Sequence, residues 1–397
     1  MKKPDDNLGS VGVLGAGTMG TGIAQVAATH GRDVMLFDAD HRALSASREN
    51  LTRALARQVE KRRLEEKAAT EILQRIQPAG GLGDFAQCDC VIEAISEDLD
   101  AKKTAFRNLE AVVPSRAVLA TNTSSLSITA IAAACKNPER VLGLHFFNPA
   151  PVMALVEVVP GLATSQETVE RGSALVRTWG KTTVVASDTP GFIVNRVARP
   201  FYGEALQILE EGMADVATID WAMRELGGFR MGPFELMDLI GNDVNYKVTE
   251  TIFASLYFDP RYKPSVTQKR LVEAGRLGRK SGRGFFDYRP NAVAPEPDKQ
   301  PKLGEEIFLR IIVMLVNEAA DVVFHRVATV QDVDLAMTLG ANYPKGPLRW
   351  ADELGLDTVL ARLAALQEEY GDDRYRPSPL LKRLVRSHRR FYERTGS

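Results

Sequence analysis

The sequence predicts an α/β domain built on a doubly wound parallel sheet, followed by two tandem all-α domains. Three observations carry this. Short apolar runs of strand length alternate with helix-length segments from Val11 to Ala186, the pattern of successive βαβ units. Beyond Asp188 the alternation stops and the apolar period becomes helical. The helical part then repeats itself: Gly346-Pro347, Asp352, Gly355 and Asp357 stand at a constant offset from Gly232-Pro233, Asp238, Gly241 and Asp243, as duplication requires.

Composition narrows the class. The 397 residues are 45% hydrophobic and 25% charged, enough for two or three domains with ordinary cores. The net charge of -1, with lysines and arginines spread along the chain, gives no nucleic-acid surface. The cysteines, Cys88, Cys90 and Cys135, have neither zinc spacing nor a disulfide framework, so no metal is expected and a reducing compartment is. Met1 to Leu8 lacks the apolar core of a signal peptide and no later run approaches a membrane span, so the expected location is cytoplasmic.

The first element is the apolar run Val11–Leu14, which breaks into Gly15-Ala16-Gly17-Thr18-Met19-Gly20 and then a helix ending near Gly31. Glycines at those places allow a tight turn, close approach of backbone to a pyrophosphate and tight helix-on-strand packing, while Thr18 and Met19 open the helix at its anion-binding end. A second run, Val34–Phe37, ends in Asp38, about twenty residues on, where a carboxylate bonds both ribose hydroxyls and repels a 2′-phosphate. The reading is a Rossmann-type site for NAD. Arg42, close to Asp38, keeps NADP open.

From Asp40 to Ile76 the period is helical, with Leu44, Leu51, Leu55 and Val59 on one face of a solvated helix pair. Cys90–Ile95 is a buried-type strand carrying Glu93, a carboxylate that needs a partner there. Glu97 and Lys102 follow on the turn and helix start. Val118–Thr121 leads into Asn122-Thr123-Ser124-Ser125-Leu126-Ser127 and a helix from Ile128. One serine is expected to cap that helix, but three hydroxyls at the ligand end of a strand exceed what a cap needs. Val141–Phe147 delivers His145, and the next apolar run, Leu155–Val159, carries Glu157. A histidine that takes a proton from an alcohol while hydride leaves the same carbon needs such a carboxylate to orient its ring and steady the imidazolium.

Taken together, Gly15 to Gly20, Ile92–Glu97, Thr121–Leu126, His145–Met153, Leu155–Val158 and Asp188–Arg196 resemble the 3-hydroxyacyl-CoA dehydrogenases, in that family's order from Val11 to about Tyr288. The resemblance implies His145 as catalytic base and Glu157 as its orienting carboxylate. It also implies Ser124 and Asn195 as donors to the 3-oxygen and thioester carbonyl, and Glu97, Lys102, Ser124 and Asn148 on the nicotinamide and ribose side. Lys61, in the helix pair, would meet CoA. A serine that accompanies that lysine in the family falls here at Ala54, a departure that Lys61-Arg62-Arg63 could offset.

Thr189-Pro190-Gly191 breaks the last strand-like run, so the expected domains are 1–187, 188–288, a Pro-rich linker 289–301, and a degenerate second helical copy 302–397. The glycine-rich Gly278–Gly284 is read as a tight turn, since Lys280 lacks a preceding strand and phosphate-loop spacing. The second copy has Leu309 where the first has Asn195, and it ends without the glycine turn. In the family the helical domain forms a homodimer interface. A second copy in that place leaves open a homodimer, or a monomer in which it replaces the partner. The expected substrate is a short or dicarboxylic acyl-CoA, such as 3-hydroxybutyryl-CoA or 3-hydroxyadipyl-CoA. A dehydrogenase of a free hydroxy acid and a silent nucleotide-binding relative are the alternatives.

Overall fold

The computed structural model describes residues 9–392. They form two compact units that divide after Thr189.

The first unit is an eight-stranded sheet. Its strands are β1 (Ser10–Leu14), β2 (Asp33–Phe37), β3 (Ile76–Pro78), β4 (Cys90–Glu93), β5 (Val118–Thr121), β6 (Val141–Phe146), β7 (Leu155–Pro160) and β8 (Thr182–Val185), in the spatial order β3-β2-β1-β4-β5-β6-β7-β8. The order reverses between β1 and β4, and ligands of doubly wound sheets bind at the strand ends beside that switch. β4, β5 and β6 are buried throughout, as strands covered on both faces must be. Two apolar layers sandwich the sheet, one around Ile23, Leu51 and Trp179, the other around Phe85, Phe106 and Ile131.

Two features depart from the sequence reading. Ile76, expected as the end of the helical segment, opens the edge strand β3. β7 runs antiparallel to β6, because the connection from Phe147 to Ala154 is too short for the crossover helix a parallel return requires. The segment before β3 is the expected helix pair, His41–Glu60 and Glu66–Arg75.

The second unit is helical and contains both copies. The paired helices Val194–Val197 and Arg199–Glu210 of the first copy correspond to the long helix Pro301–Phe324 of the second, which begins inside the segment read as linker. Asp220 accepts the backbone N–H groups of Phe234 and Glu235 at 2.9 and 2.8 Å, and Asp334 those of Leu348 and Arg349 at 2.8 and 3.0 Å. The repeated Gly-Pro pairs follow from this seating. A Cβ at Gly232 would lie 2.3 Å from Asp220, and one at Gly346 would lie 2.1 Å from Asp334. Asp238 receives Phe285 and Phe286, and Asp352 receives Phe391 and Tyr392, through backbone N–H bonds of 2.9–3.0 Å. The second copy thus keeps the contacts of its closing segment to this Asp without the glycine turn that precedes them in the first.

The copies are wired to each other reciprocally. Arg196 of the first bonds Glu318 of the second at 2.6 Å with Tyr262 alongside, and Arg310 of the second bonds Glu204 of the first at 2.6 Å with Tyr375 alongside. Arg261 reaches Asp321, and Arg374 reaches the equivalent Gln207. Residue i meets j and j meets i, the contact pattern of a two-fold interface, here within one chain. Both ion pairs are buried, where removing one partner leaves an uncompensated charge.

Candidate active site

The glycine turn folds as its sequence requires. Gly15 sits at φ +106° with its N–H on Phe37 O at 2.7 Å, and a Cβ at Gly20 would lie 1.8 Å from Gly15 O. Gly17 caps the helix Thr18–Thr29, and a Cβ built on Gly17 meets nothing within 4 Å. The first N–H groups of that helix have no carbonyl of their own turn to bond. Asp38 follows β2 directly, accepting Ala16 N at 2.7 Å and Asp40 N at 2.9 Å. Between them opens a cleft of about 820 Å³ lined by Gly17, Asp38, Ile95, Ser96 and Asp100, a volume within the range of cofactor sites. These residues fit NAD: a helix N-terminus for the pyrophosphate and a carboxylate for the ribose. Arg42, which could have favoured a 2′-phosphate, turns to Asp40 at 3.2 Å.

At the far side of the switch point, the antiparallel register sets His145 directly opposite Glu157. Nδ1 lies 2.6 Å from Glu157 Oε2, with the histidine 6% exposed and the glutamate fully buried. The Phe147 ring lies against the imidazole, centroids 4.5 Å apart. A buried carboxylate fixed to one ring nitrogen sets the tautomer and leaves Nε2 as the basic nitrogen of the neutral ring.

The loop after β5 is gathered by Glu97. Its carboxylate accepts Thr123 Oγ1 at 2.5 Å, Ser124 N at 3.0 Å and Ser125 Oγ at 3.0 Å. Burial alone would raise this carboxyl, but the Thr123 hydroxyl, the Lys102 ammonium and the Ser124 N–H outweigh it and hold Glu97 below the usual carboxylate range. Ser127, not Ser124, caps the next helix, through Ala130 N at 3.1 Å. Ser124 is therefore spared the capping role and stays half-buried beside Glu97.

Lys102 lies beneath this loop. It is 1% exposed, with Nζ 2.6 Å from Glu93 and 3.5 Å from Glu97. It is a buried counter-ion, and Glu93 thereby has the partner its strand demanded, with Thr121 Oγ1 at 2.7 Å. Asn148 is exposed just past β6 and precedes the cis bond to Pro149. Lys61 is exposed at the turn ending the helix His41–Glu60, a helix that packs against the helices Thr18–Thr29 and Glu66–Arg75. Asn195 belongs to the second unit, half-buried on the helix Val194–Val197.

Two positioning residues escaped the sequence reading. Asn122 Oδ1 accepts Phe146 N at 2.8 Å, tying the end of β5 to the strand that bears His145. Asp188 accepts Ser127 Oγ, Ile128 N and Thr129 N at 2.7–3.0 Å, seating the helix N-terminus behind the serine loop. An Asn at a strand end and an Asp before Thr-Pro-Gly were the available signals, and both read as ordinary turn residues.

Comparison with known proteins agrees with this geometry. Residues 10–189 match the NAD-binding domain of 3-hydroxyacyl-CoA dehydrogenase, and residues 191–288 and 307–396 match its C-terminal domain. The chain is 40% identical to a 3-hydroxyadipyl-CoA dehydrogenase of Escherichia coli K12, over 95% of this chain and 97% of that one. It is 45% identical to a 3-hydroxybutyryl-CoA dehydrogenase of Bradyrhizobium diazoefficiens, over 72% of this chain and 97% of that one. The crystal structure of a 3-hydroxybutyryl-CoA dehydrogenase from Escherichia coli K12 superposes with a TM-score of 0.91 at 39% identity, covering 96% of this chain and 99% of that one. With the dinucleotide cleft, the His145–Glu157 pair and the duplicated helical unit, these matches show that the chain is an NAD-dependent enzyme of the 3-hydroxyacyl-CoA dehydrogenase family.

Proposed function

We propose that the chain oxidises a short L-(S)-3-hydroxyacyl-CoA, monocarboxylic or dicarboxylic, to the 3-oxoacyl-CoA, with His145 as general base. The observation that carries this reading is the 2.6 Å contact between His145 Nδ1 and the fully buried Glu157. NAD supplies the hydride acceptor when bound. His145 Nε2 takes the proton of the 3-hydroxyl, and Glu157 stabilises the imidazolium that results. In the reverse direction the imidazolium returns that proton. Ser124, half-buried at the Glu97-organised loop, and Asn195 donate hydrogen bonds to the 3-oxygen and the thioester carbonyl, where charge develops. Glu97 orders the loop, and Lys61 with Arg62 and Arg63 offers cations for the CoA phosphates. The substrate range follows the relatives, of which one is named for 3-hydroxyadipyl-CoA and another for 3-hydroxybutyryl-CoA. The second helical copy takes the place a partner subunit would fill, a reading supported by the reciprocal Arg196–Glu318 and Arg310–Glu204 pairs.

The test is His145→Gln. Turnover of a 3-hydroxyacyl-CoA should fall by about 10²-fold or more, with NAD affinity retained; wild-type turnover would remove His145 from the mechanism.

A further inference from the structure

Six arginines of the described residues are buried: Arg140, Arg196, Arg199, Arg261, Arg310 and Arg374. Five have a carboxylate within 4 Å: Glu110, Glu318, Asp321, Glu204 and again Glu204, in that order. Arg199 is the exception. Its Nε donates to Asn195 O at 2.8 Å and its Nη1 to Thr249 Oγ1 at 3.1 Å, and the guanidinium lies 4.9 Å from the Tyr202 ring centroid. Among the described residues it has no ion-pair partner. Neutral acceptors and one aromatic face are thin compensation for a buried cation. A second group in the same place is also unsatisfied. The Tyr343 hydroxyl, on a residue 5% exposed, has no hydrogen-bond partner among the described residues, and its ring lies 5.7 Å from that of Phe201, which is 5.6 Å from the Tyr202 ring that Arg199 covers.

The duplication separates packing roles from ligand roles at these positions. Residues that hold the helical unit together are kept in both copies at the constant offset: Arg196 and Arg310, Glu204 and Glu318, Asp220 and Asp334. At the same offset Asn195, Arg199, Tyr202 and Thr249 become Leu309, Val313, Val316 and Leu363. The whole polar set has turned apolar in the copy that also lost Asn195, as residues do when the ligand they served is gone.

We infer that Arg199 and the Tyr343 hydroxyl form an anion subsite that takes the distal carboxylate of a dicarboxylic 3-hydroxyacyl-CoA. The inference rests on the proposed reaction and on Asn195 standing at the thioester. Backbone from Val194 to Glu210 is right-handed helical through Ala198, so Arg199 shares a helix face with Asn195 one turn earlier, and its side chain returns to the Asn195 carbonyl. A carboxylate there gives Arg199 the counter-ion it lacks and Tyr343 an acceptor. An unbranched monocarboxylic chain of four carbons offers neither.

The experiment compares kcat/KM for 3-hydroxyadipyl-CoA and 3-hydroxybutyryl-CoA in the full-length wild type, Arg199→Met and Tyr343→Phe. Wild type should favour the dicarboxylic ester. The preference should fall by about 10²-fold in Arg199→Met, the scale of a desolvated charge-assisted pair, and severalfold in Tyr343→Phe, both through KM on the diacid ester. Tyr343→Phe removes one oxygen and carries the test should Arg199→Met not fold. A preference unchanged by either folded variant overturns the inference while leaving the proposed reaction intact, as does a wild type that prefers the butyryl ester. A wild type that oxidises neither ester strikes the reaction itself.

Discussion

Replacing Glu157 by Gln changes one buried atom opposite His145 and removes its charge. The 2.6 Å contact puts the centres of an imidazolium and a carboxylate about 4 Å apart, where unit charges attract by about 4 kcal/mol at an effective dielectric near 20. Glu157 is fully buried, so solvent does not screen this attraction away. It acts when the ring is charged, which on the proposed mechanism is as the proton leaves the hydroxyl, so its loss falls on kcat. At 1.36 kcal/mol per tenfold the variant should turn over about 10²- to 10³-fold more slowly. The measurement is steady-state NADH formation under saturating 3-hydroxyacyl-CoA, with NAD binding titrated separately to show the cleft intact and His145→Gln run as the floor. A kcat for Glu157→Gln equal to wild type would refute the reasoning, since it would mean the carboxylate neither orients nor stabilises the base.

Arg310→Met should destabilise the helical unit by about 3–5 kcal/mol, because Glu204 and Glu211 lose their guanidinium in a buried network; urea unfolding of the single variants and of Arg310→Met with Glu204→Leu should give a coupling energy of about 1–3 kcal/mol. Stability should also carry the titration of Asp220. Burial, outweighing two backbone N–H bonds, pushes this carboxyl from 3.8 up to about 7. A raised folded value means its contribution is complete below about pH 4 and lost as pH rises through about 7, so the stability advantage of wild type over Asp220→Asn should shrink across that interval in thermal melts.

Much of this was legible before any coordinates. The glycine turn and Asp38 announce a dinucleotide cleft because each glycine has a steric reason and the carboxylate has a fixed distance to cover. The duplication is written in Gly-Pro and Asp pairs whose offset the fold explains, since each Asp receives a helix start against a residue with no Cβ. What stayed hidden depends on long-range pairing. Nothing local in Leu155–Val159 states that it runs antiparallel to β6, and only that direction, with its register, sets Glu157 against His145. Nothing local to Lys102 on its helix start states that it is buried, which follows from Glu93 on a neighbouring strand. Arg196 and Arg199 look alike in Asn195-Arg196-Val197-Ala198-Arg199. One faces a carboxylate of the other copy and the other faces none, a difference set by helix packing.

The choice of substrate is what the proposed reaction stands on. NADH formation should be measured with L-3-hydroxybutyryl-CoA and L-3-hydroxyadipyl-CoA beside the corresponding free hydroxy acids, at equal concentration and saturating NAD. Turnover of a CoA ester with little or none of the free acid is the result predicted from the family and from His145 acting on a 3-hydroxyl. Free-acid turnover equal to or above that of the esters would contradict it.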